Sequence, residues 1–215
     1  MIIALDGSAA SGKGTLAKRL ADHLDLAHLD TGALYRGLAL QLLEHGAEID
    51  NINTKQAVTE SAQFDSSFSK DARIRTDAVA MMASKIAVLP EVRANLLAFQ
   101  RHFAANPPSG RGAILDGRDI GSVVLPDARI KFFVDAAIDI RAQRRTKELQ
   151  AAGQSAMFRD VLEEMQARDD RDRNRDTAPL RATADAKVID TSSMDADAVM
   201  AEALAYIASM PIEHH

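Results

Sequence analysis

Between an apolar run, Ile2-Ile3-Ala4-Leu5, and a helical pattern, LAKRLADHL, the chain carries the loop GSAASGKGT at residues 7–15. No other feature constrains the fold as much. Strand, glycine-bearing loop, lysine and helix, in that order, is what a phosphate-cradling loop requires. Gly7 is followed by four residues and then Gly12-Lys13. That spacing lets successive backbone N–H groups turn inward, while the helix N-terminus adds the positive end of its dipole. Lys13 then reaches the outer phosphates, and a hydroxyl on the first helical turn holds hydrated magnesium. The common pattern puts Ser or Thr directly after the lysine. Here Gly14 intervenes and Thr15 supplies the hydroxyl.

Composition limits the partners. A chain of 215 residues suits one domain with small insertions and is long enough to bury a sizeable core. It has no cysteine, which excludes disulfides and thiolate metal sites, so any metal is held by oxygen. With 26 Lys and Arg against 31 Asp and Glu, the net charge is −5, which argues against broad binding to nucleic acid or acidic membranes. Trp is absent and Tyr occurs twice, too few for a base-stacking platform. The apolar run at residues 2–5 is too short for a signal peptide, and no stretch approaches the ~18 apolar residues of a membrane span. The expectation is a cytoplasmic monomer that binds small molecules, and any anion must be gripped locally.

Along the chain, residues 27–32 (AHLDTG) read as a short strand ending in turn residues. ALYR at 33–36 opens an apolar-periodic helix that runs to Leu43 and stops near Gly46. Residues 47–71 are polar with weak periodicity and read either as a small, mobile insertion or as a plain surface loop. The helical pattern resumes at Thr76, and Pro90 restarts it, as proline suits a first helical turn. Strands are expected at 112–116, ending on Asp116, at 130–135 and at 187–190. Helices are expected at 138–151 and 158–174, broken at Gly153, with a last one from about Asp195 to Met210. Five apolar strands alternating with helices define an α/β fold with a parallel sheet covered on both faces. Ligands of such sheets gather at the carboxyl ends of the strands, where Asp6, Asp30, Asp116 and Asp135 stand.

Asp116 is placed to orient magnesium through water; capping a strand end is the alternative. Arg118-Asp119 follows at once. A planar fork of donors beside an acceptor-only group suits a ligand with both a phosphate and a base amine, whereas a local surface ion pair is the bland reading. Arg168, Asp172 and Arg175 fall at i, i+4 and i+7, along one helical face, and Arg141, Arg144 and Arg145 cluster on the preceding helix. Two arginine-rich helices joined near Gly153 make a flap able to close over polyphosphate, although charge runs are more commonly a solvated face.

The stretches GSAASGKGT, DTGALYR, IRTDAVAMMASKIAVLPEVR, DGRDIGSVVLPDA and RDDRDRNR followed by APL, in that order over nearly the whole chain, resemble the bacterial cytidylate kinases. The GKGT ending is the form found in nucleoside monophosphate kinases, and the last two stretches are more specific than the loop. The resemblance implies a P-loop NTPase three-layer sandwich forming a single domain over residues 1–215. Its parts would be a parallel-sheet core, a small monophosphate-binding insertion at about 37–93 and an arginine-rich helical lid at about 141–175. It also implies transfer of the γ-phosphoryl group of ATP to CMP or dCMP with Mg2+.

Carried over by position, the resemblance implies that Gly7, Ser8, Ala9, Ala10, Ser11, Gly12, Lys13, Gly14 and Thr15 hold ATP, and that Thr15 and Asp116 serve the metal. Ser84, Arg93 and Asp119 would read the cytosine, and Asp172 with Arg168 the sugar. Arg36, Arg118 and Arg175 would grip the monophosphate, and Thr31 joins the substrate-binding set. Thr31 stands where the family often has Ser and keeps the hydroxyl. Lys13, Arg118, Arg144, Arg145 and Arg175 would neutralise the transferring group. The acceptor oxygen is already ionised, so no general base is needed. The insertion between Gly46 and Arg75 is shorter than usual and lacks a clear set of strands. Kinases of the same fold for UMP, AMP or shikimate are the rival enzymes. A guanine-specific switch is disfavoured because Thr54-Lys55-Gln56-Ala57 lacks the aspartate of its base motif.

Overall fold

The apolar runs do pair into one sheet. The computed structural model describes residues 1–211, so the His214-His215 pair, to which no function is assigned, lies outside the described residues. The strands are β1 (Ile2–Gly7), β2 (Ala27–Asp30), β3 (Ala113–Gly117), β4 (Ile130–Asp135) and β5 (Lys187–Asp190), in the order β2-β3-β1-β4-β5. The β1–β3, β1–β4 and β4–β5 ladders are parallel, in a register that sets Asp6 opposite Gly117 and Asp135 opposite Asp190. β3 is buried throughout and β1 nearly so, which is why both read as unbroken apolar runs rather than alternating ones. The α/β class and the five-stranded parallel sheet expected from the sequence are both present.

The chain divides into two compact units, Met1–His28 with the chain from Pro107 onward, and Leu29–Asn106. In the first, helices α1 (Lys13–Leu24) and α8 (Ala196–Ser209) pack together against the sheet. Leu16, Leu20 and Val199 close over Ile3, Leu5 and Phe132. Phe132 meets Tyr206 edge-on at 5.4 Å, and burying such a ring stabilises the fold by about 2–3 kcal/mol. The charged helices α6 (Ile138–Ala151) and α7 (Phe158–Asn174) pack on each other through a small cluster of Ala142, Val161 and Met165. Gly153, at φ +78°, turns the chain between them.

The second unit is helical: α2 (Thr31–Glu44), α3 (Thr54–Ala62), α4 (Asp77–Ile86) and α5 (Pro90–Ala105), with two 3₁₀ turns at Ser66–Lys70 and Ala72–Arg75. Leu38, Leu42, Met82, Ile86, Val92 and Leu96 form its core. The stretch read from sequence as a small, mobile insertion or a surface loop therefore contains α3. Its signal is weak because its fully buried positions are Ala57 and Ser61, two small residues one turn apart that carry little hydropathy. The side chains of Asn53, Asp65 and Asp71 cap α3 and the two 3₁₀ turns, so polar residues organise this segment locally.

Candidate functional site

The glycine loop leaves β1 at a point where only glycine fits. Gly7 lies at φ +155°, and a Cβ there would stand 1.9 Å from the carbonyl oxygen of Val134. Gly12, at φ +87°, is the left-handed residue that precedes α1, whose start at Lys13 is two residues before the Thr15 from which the sequence reads as helical. Lys13 thus begins the helix, and Thr15 is exposed on its first turn. The loop is braced from below. Ser11 Oγ donates to the Ser8 carbonyl at 3.0 Å, Thr191 Oγ1 donates to the Ser11 carbonyl at 2.8 Å, and Arg141 Nη1 donates to the Ala9 carbonyl at 3.3 Å. Ser8 Oγ is buried with no hydrogen-bond partner among the described residues.

Lys13 Nζ donates to Asp116 Oδ1 at 2.5 Å, and His28 Nε2 lies 2.7 Å from Asp116 Oδ2. Asp116 is 2% exposed. Burial on its own would raise the carboxyl pKa, but the Lys13 charge and the hydrogen bonds from His28 and Lys13 outweigh it and hold the group well below the usual carboxylate range. The site therefore keeps a permanent anion beside the lysine. Among the described residues no cluster of three or more His, Cys, Asp or Glu could cage a metal. Magnesium fits the donors that are present, because it takes few protein oxygens and completes its shell with water and phosphate. Thr15 and Asp116 offer such oxygens.

Asp6, at the end of β1, accepts from the backbone N–H groups of Ile120 and Gly121, both at 2.7 Å. Burial pushes its pKa up to about 6, against the lowering effect of those two N–H groups. The bonds tie down a π-helical turn at Ile120–Val124, directly after Arg118-Asp119. Arg118 Nε donates to Asp172 Oδ2 at 2.9 Å, and Arg175 Nη2 stands 3.5 Å from Asp119 Oδ1. So the first unit brings together Arg118, Asp119, Asp172 and Arg175, four residues singled out from sequence.

One expectation is corrected here. Arg175 does not share a helical face with Arg168 and Asp172, because α7 ends at Asn174 and Arg175 is extended at φ −67°, ψ 141°. A helix continued through Pro179 would drive the proline ring into the carbonyl of Arg175. Arg175 turns back instead, with Nε donating to the Ala178 carbonyl at 2.6 Å, and this brings its guanidinium to Asp119. Arg168 stays on the helix, half-buried.

The arginines of α6 separate by environment. Arg141 is 2% exposed and bonds Asp169 with Nη2 at 2.6 Å, locking α6 to α7. Arg144 is committed to Thr191, with Nη1 on Oγ1 at 2.9 Å and Nη2 on the carbonyl at 2.6 Å. Arg145 is half-buried, its side chain 40% exposed, with Glu148 at 3.4 Å. Periodicity could not separate these three, since the difference lies in what each meets across the fold. His28, Asp6 and Thr191 were missed as site residues for the same reason, apart from the position of Asp6 at a strand end.

In the second unit, Thr31 is the buried first residue of α2, which Asp30 caps by accepting from the Ala33 N–H. Arg36, one turn on, bonds the same Asp30 at 3.1 Å, and its Nε is buried without a hydrogen-bond partner among the described residues. Arg93, on α5, lies 6.0 Å from the ring of Tyr35 and donates to the Ala87 carbonyl. Ser84 is half-buried on α4, which packs against α2.

The family model described as cytidylate kinase matches residues 3–209. Proteins named cytidylate kinase from Paramagnetospirillum magneticum and Rhodospirillum rubrum are 50% and 47% identical to the chain. The first match covers 97% of this chain and 98% of the relative, the second 97% of each. One from Nitrobacter winogradskyi is 46% identical over 99% and 98%. A solved structure of an uncharacterized protein from Eubacterium ventriosum is 16% identical and covers 98% of this chain and 99% of that one, with a TM-score of 0.58, a likeness of fold alone.

Proposed function

The chain belongs to the cytidylate kinase family, and on that premise we propose that it transfers the γ-phosphoryl group of ATP to CMP and dCMP. The observation that carries the reading is Asp119, a buried carboxylate directly after Arg118 at the carboxyl end of β3, with Arg175 at 3.5 Å. An acceptor-only group in that position takes the amine of cytosine, whereas uracil offers an acceptor on the same edge and is repelled. Ser84 and Arg93 complete the base contacts, with Arg93 donating to ring N3 or O2. Arg118, Arg36 and Arg175 bind the monophosphate, Thr31 belongs to the same substrate-binding set, and Asp172 with Arg168 holds the sugar.

Residues 7–15 bind the ATP phosphates, supported by the braced glycine loop and the lysine at the helix start. Lys13 leaves Asp116 for the phosphate oxygens and, with Arg118, Arg175, Arg144 and Arg145, neutralises charge on the transferring group. Arg144 reaches phosphate by giving up its bonds to Thr191. Thr15 and Asp116 would hold magnesium, which would neutralise phosphate charge. The acceptor phosphate is ionised at neutral pH and needs no base, in keeping with a site rich in cations. The protein acts as a cytoplasmic monomer without nucleic acid or membrane. No described helix is long and apolar enough to cross a membrane.

The test is a coupled ADP-release assay over CMP, dCMP, UMP and AMP. Turnover with CMP and dCMP should exceed that with UMP and AMP by roughly 100-fold or more, the scale set by a mispaired buried polar group. Preference for UMP, AMP or a non-nucleotide acceptor would overturn the reading.

A further inference from the structure

Asp116 has a different partner on each of its oxygens, and the two partners differ in kind. Lys13 approaches Oδ1 from the first turn of α1, on a long stem with rotatable bonds. His28 approaches Oδ2 from β2, a strand of the sheet, as a ring with few rotamers. A carboxylate can only accept, so the proton of the 2.7 Å bond sits on His28 Nε2. The bond is part-buried, with the His28 side chain 25% exposed and that of Asp116 2%. A carboxylate this buried needs a donor fixed on it at all times. If Lys13 turns to the phosphates of ATP, the donor it withdraws is the one on Oδ1.

We propose that His28 is a positioning residue that clamps Oδ2 of Asp116, so that Oδ1 faces the hydrated magnesium of bound ATP when Lys13 moves to the phosphates. The strand sets the direction of the clamp, and the clamp sets the orientation of the carboxylate. Partners of this kind behind a metal-orienting group are commonly worth 10- to 100-fold in metal affinity. A merely structural histidine would support the fold and leave the response to magnesium unchanged. The inference rests on the proposed function for ATP as the ligand, for magnesium at Asp116 and for the move of Lys13 to the phosphates.

The experiment measures ATP binding by calorimetry, with and without Mg2+ and with no acceptor present, in the wild type, His28→Leu, His28→Asn and His28→Gln. Circular dichroism and thermal melting report whether each variant is folded. The Gln amide reaches close to the position of Nε2, and the Asn amide falls short of it. In the wild type Mg2+ should tighten ATP binding. His28→Leu and His28→Asn should lose about 10-fold of that enhancement, His28→Gln should keep it within about threefold, and binding without Mg2+ should be the same in all four. Should His28→Leu not fold, the comparison of Asn with Gln decides between the same two outcomes. A full Mg2+ enhancement in folded His28→Leu or His28→Asn, or an equal loss in His28→Gln, overturns the clamp and leaves the proposed function standing. A wild type whose ATP binding ignores Mg2+ also overturns the clamp, and leaves the acceptor to the ADP-release assay.

Discussion

Asp6 and Asp116 stand at the carboxyl ends of neighbouring strands, 5% and 2% exposed, and their electrostatics run in opposite directions. Asp6 faces the two backbone N–H groups of Ile120 and Gly121, and burial dominates, so its pKa rises to about 6. Asp116 faces Lys13 and His28, and its pKa falls. Neutral dipoles soften the penalty of burying a charge, whereas a cation in contact reverses it. The contrast separates two uses of one residue type. Asp6 holds a turn in place behind Arg118-Asp119, and Asp116 remains an anion that a cation can approach.

The harshest way to break this contrast is to remove the cation. Lys13→Ala should lower turnover by about 10³-fold or more, the scale of losing a charge that stabilises the transferring phosphoryl group, while the protein stays folded by circular dichroism. Substantial turnover in the folded variant would show that Lys13 is not the group that meets the phosphates.

Asp6→Asn sharpens the contrast through pH. An acid whose folded pKa is raised stabilises the fold most below its unfolded value, and that contribution is lost as pH rises from about 4 to about 6. A shift of this size is on the order of 3 kcal/mol. Between pH 4 and pH 7.5, wild-type stability measured by denaturant titration should therefore fall relative to that of Asp6→Asn. Asp116 contributes with the opposite sign, present above about pH 4 and lost as the medium grows more acidic. A difference between wild type and Asp6→Asn that does not change with pH would remove Asp6 from this account.

Asp119→Ala probes what the Asp6-held turn supports. Cytosine preference over uracil should fall by roughly 10-fold or more, with ATP affinity nearly unchanged, in competition assays. Equal losses would make Asp119 structural. The smallest effect is expected far from the strand ends. The exposed Arg159–Glu163 pair on α7, at 3.2 Å, should change stability by no more than about 0.5 kcal/mol in Glu163→Gln, read from its melting curve.

Much of the fold was legible because its signals are local. The strands at 130–135 and 187–190 and the helices at 138–151 and 158–174 fall where apolar runs, periodicity and Gly153 put them. The turn at Ile120–Val124 was not legible, since what holds it is a carboxylate more than a hundred residues earlier. For α3 the packed residues are too small to register in hydropathy. In the site, Lys13, Asp116, Arg118, Asp119, Asp172 and Arg175 could be singled out from motif spacing. Their pairing could not, nor could the exit of Arg175 from the helix.

By itself the sequence determined the strand–loop–lysine–helix unit, the order along the chain of the strands and of the helices other than α3, and the chemical types gathered at the strand ends. These follow from steric and hydrophobic preferences that act over a few residues. The tertiary structure alone decided which of two buried aspartates has its pKa raised and which lowered, that His28 stands behind Asp116, and that Arg141 and Arg144 brace the glycine loop and the turn after β5. Charge state and hydrogen bonding depend on distances of a few ångströms between groups that only the fold brings together.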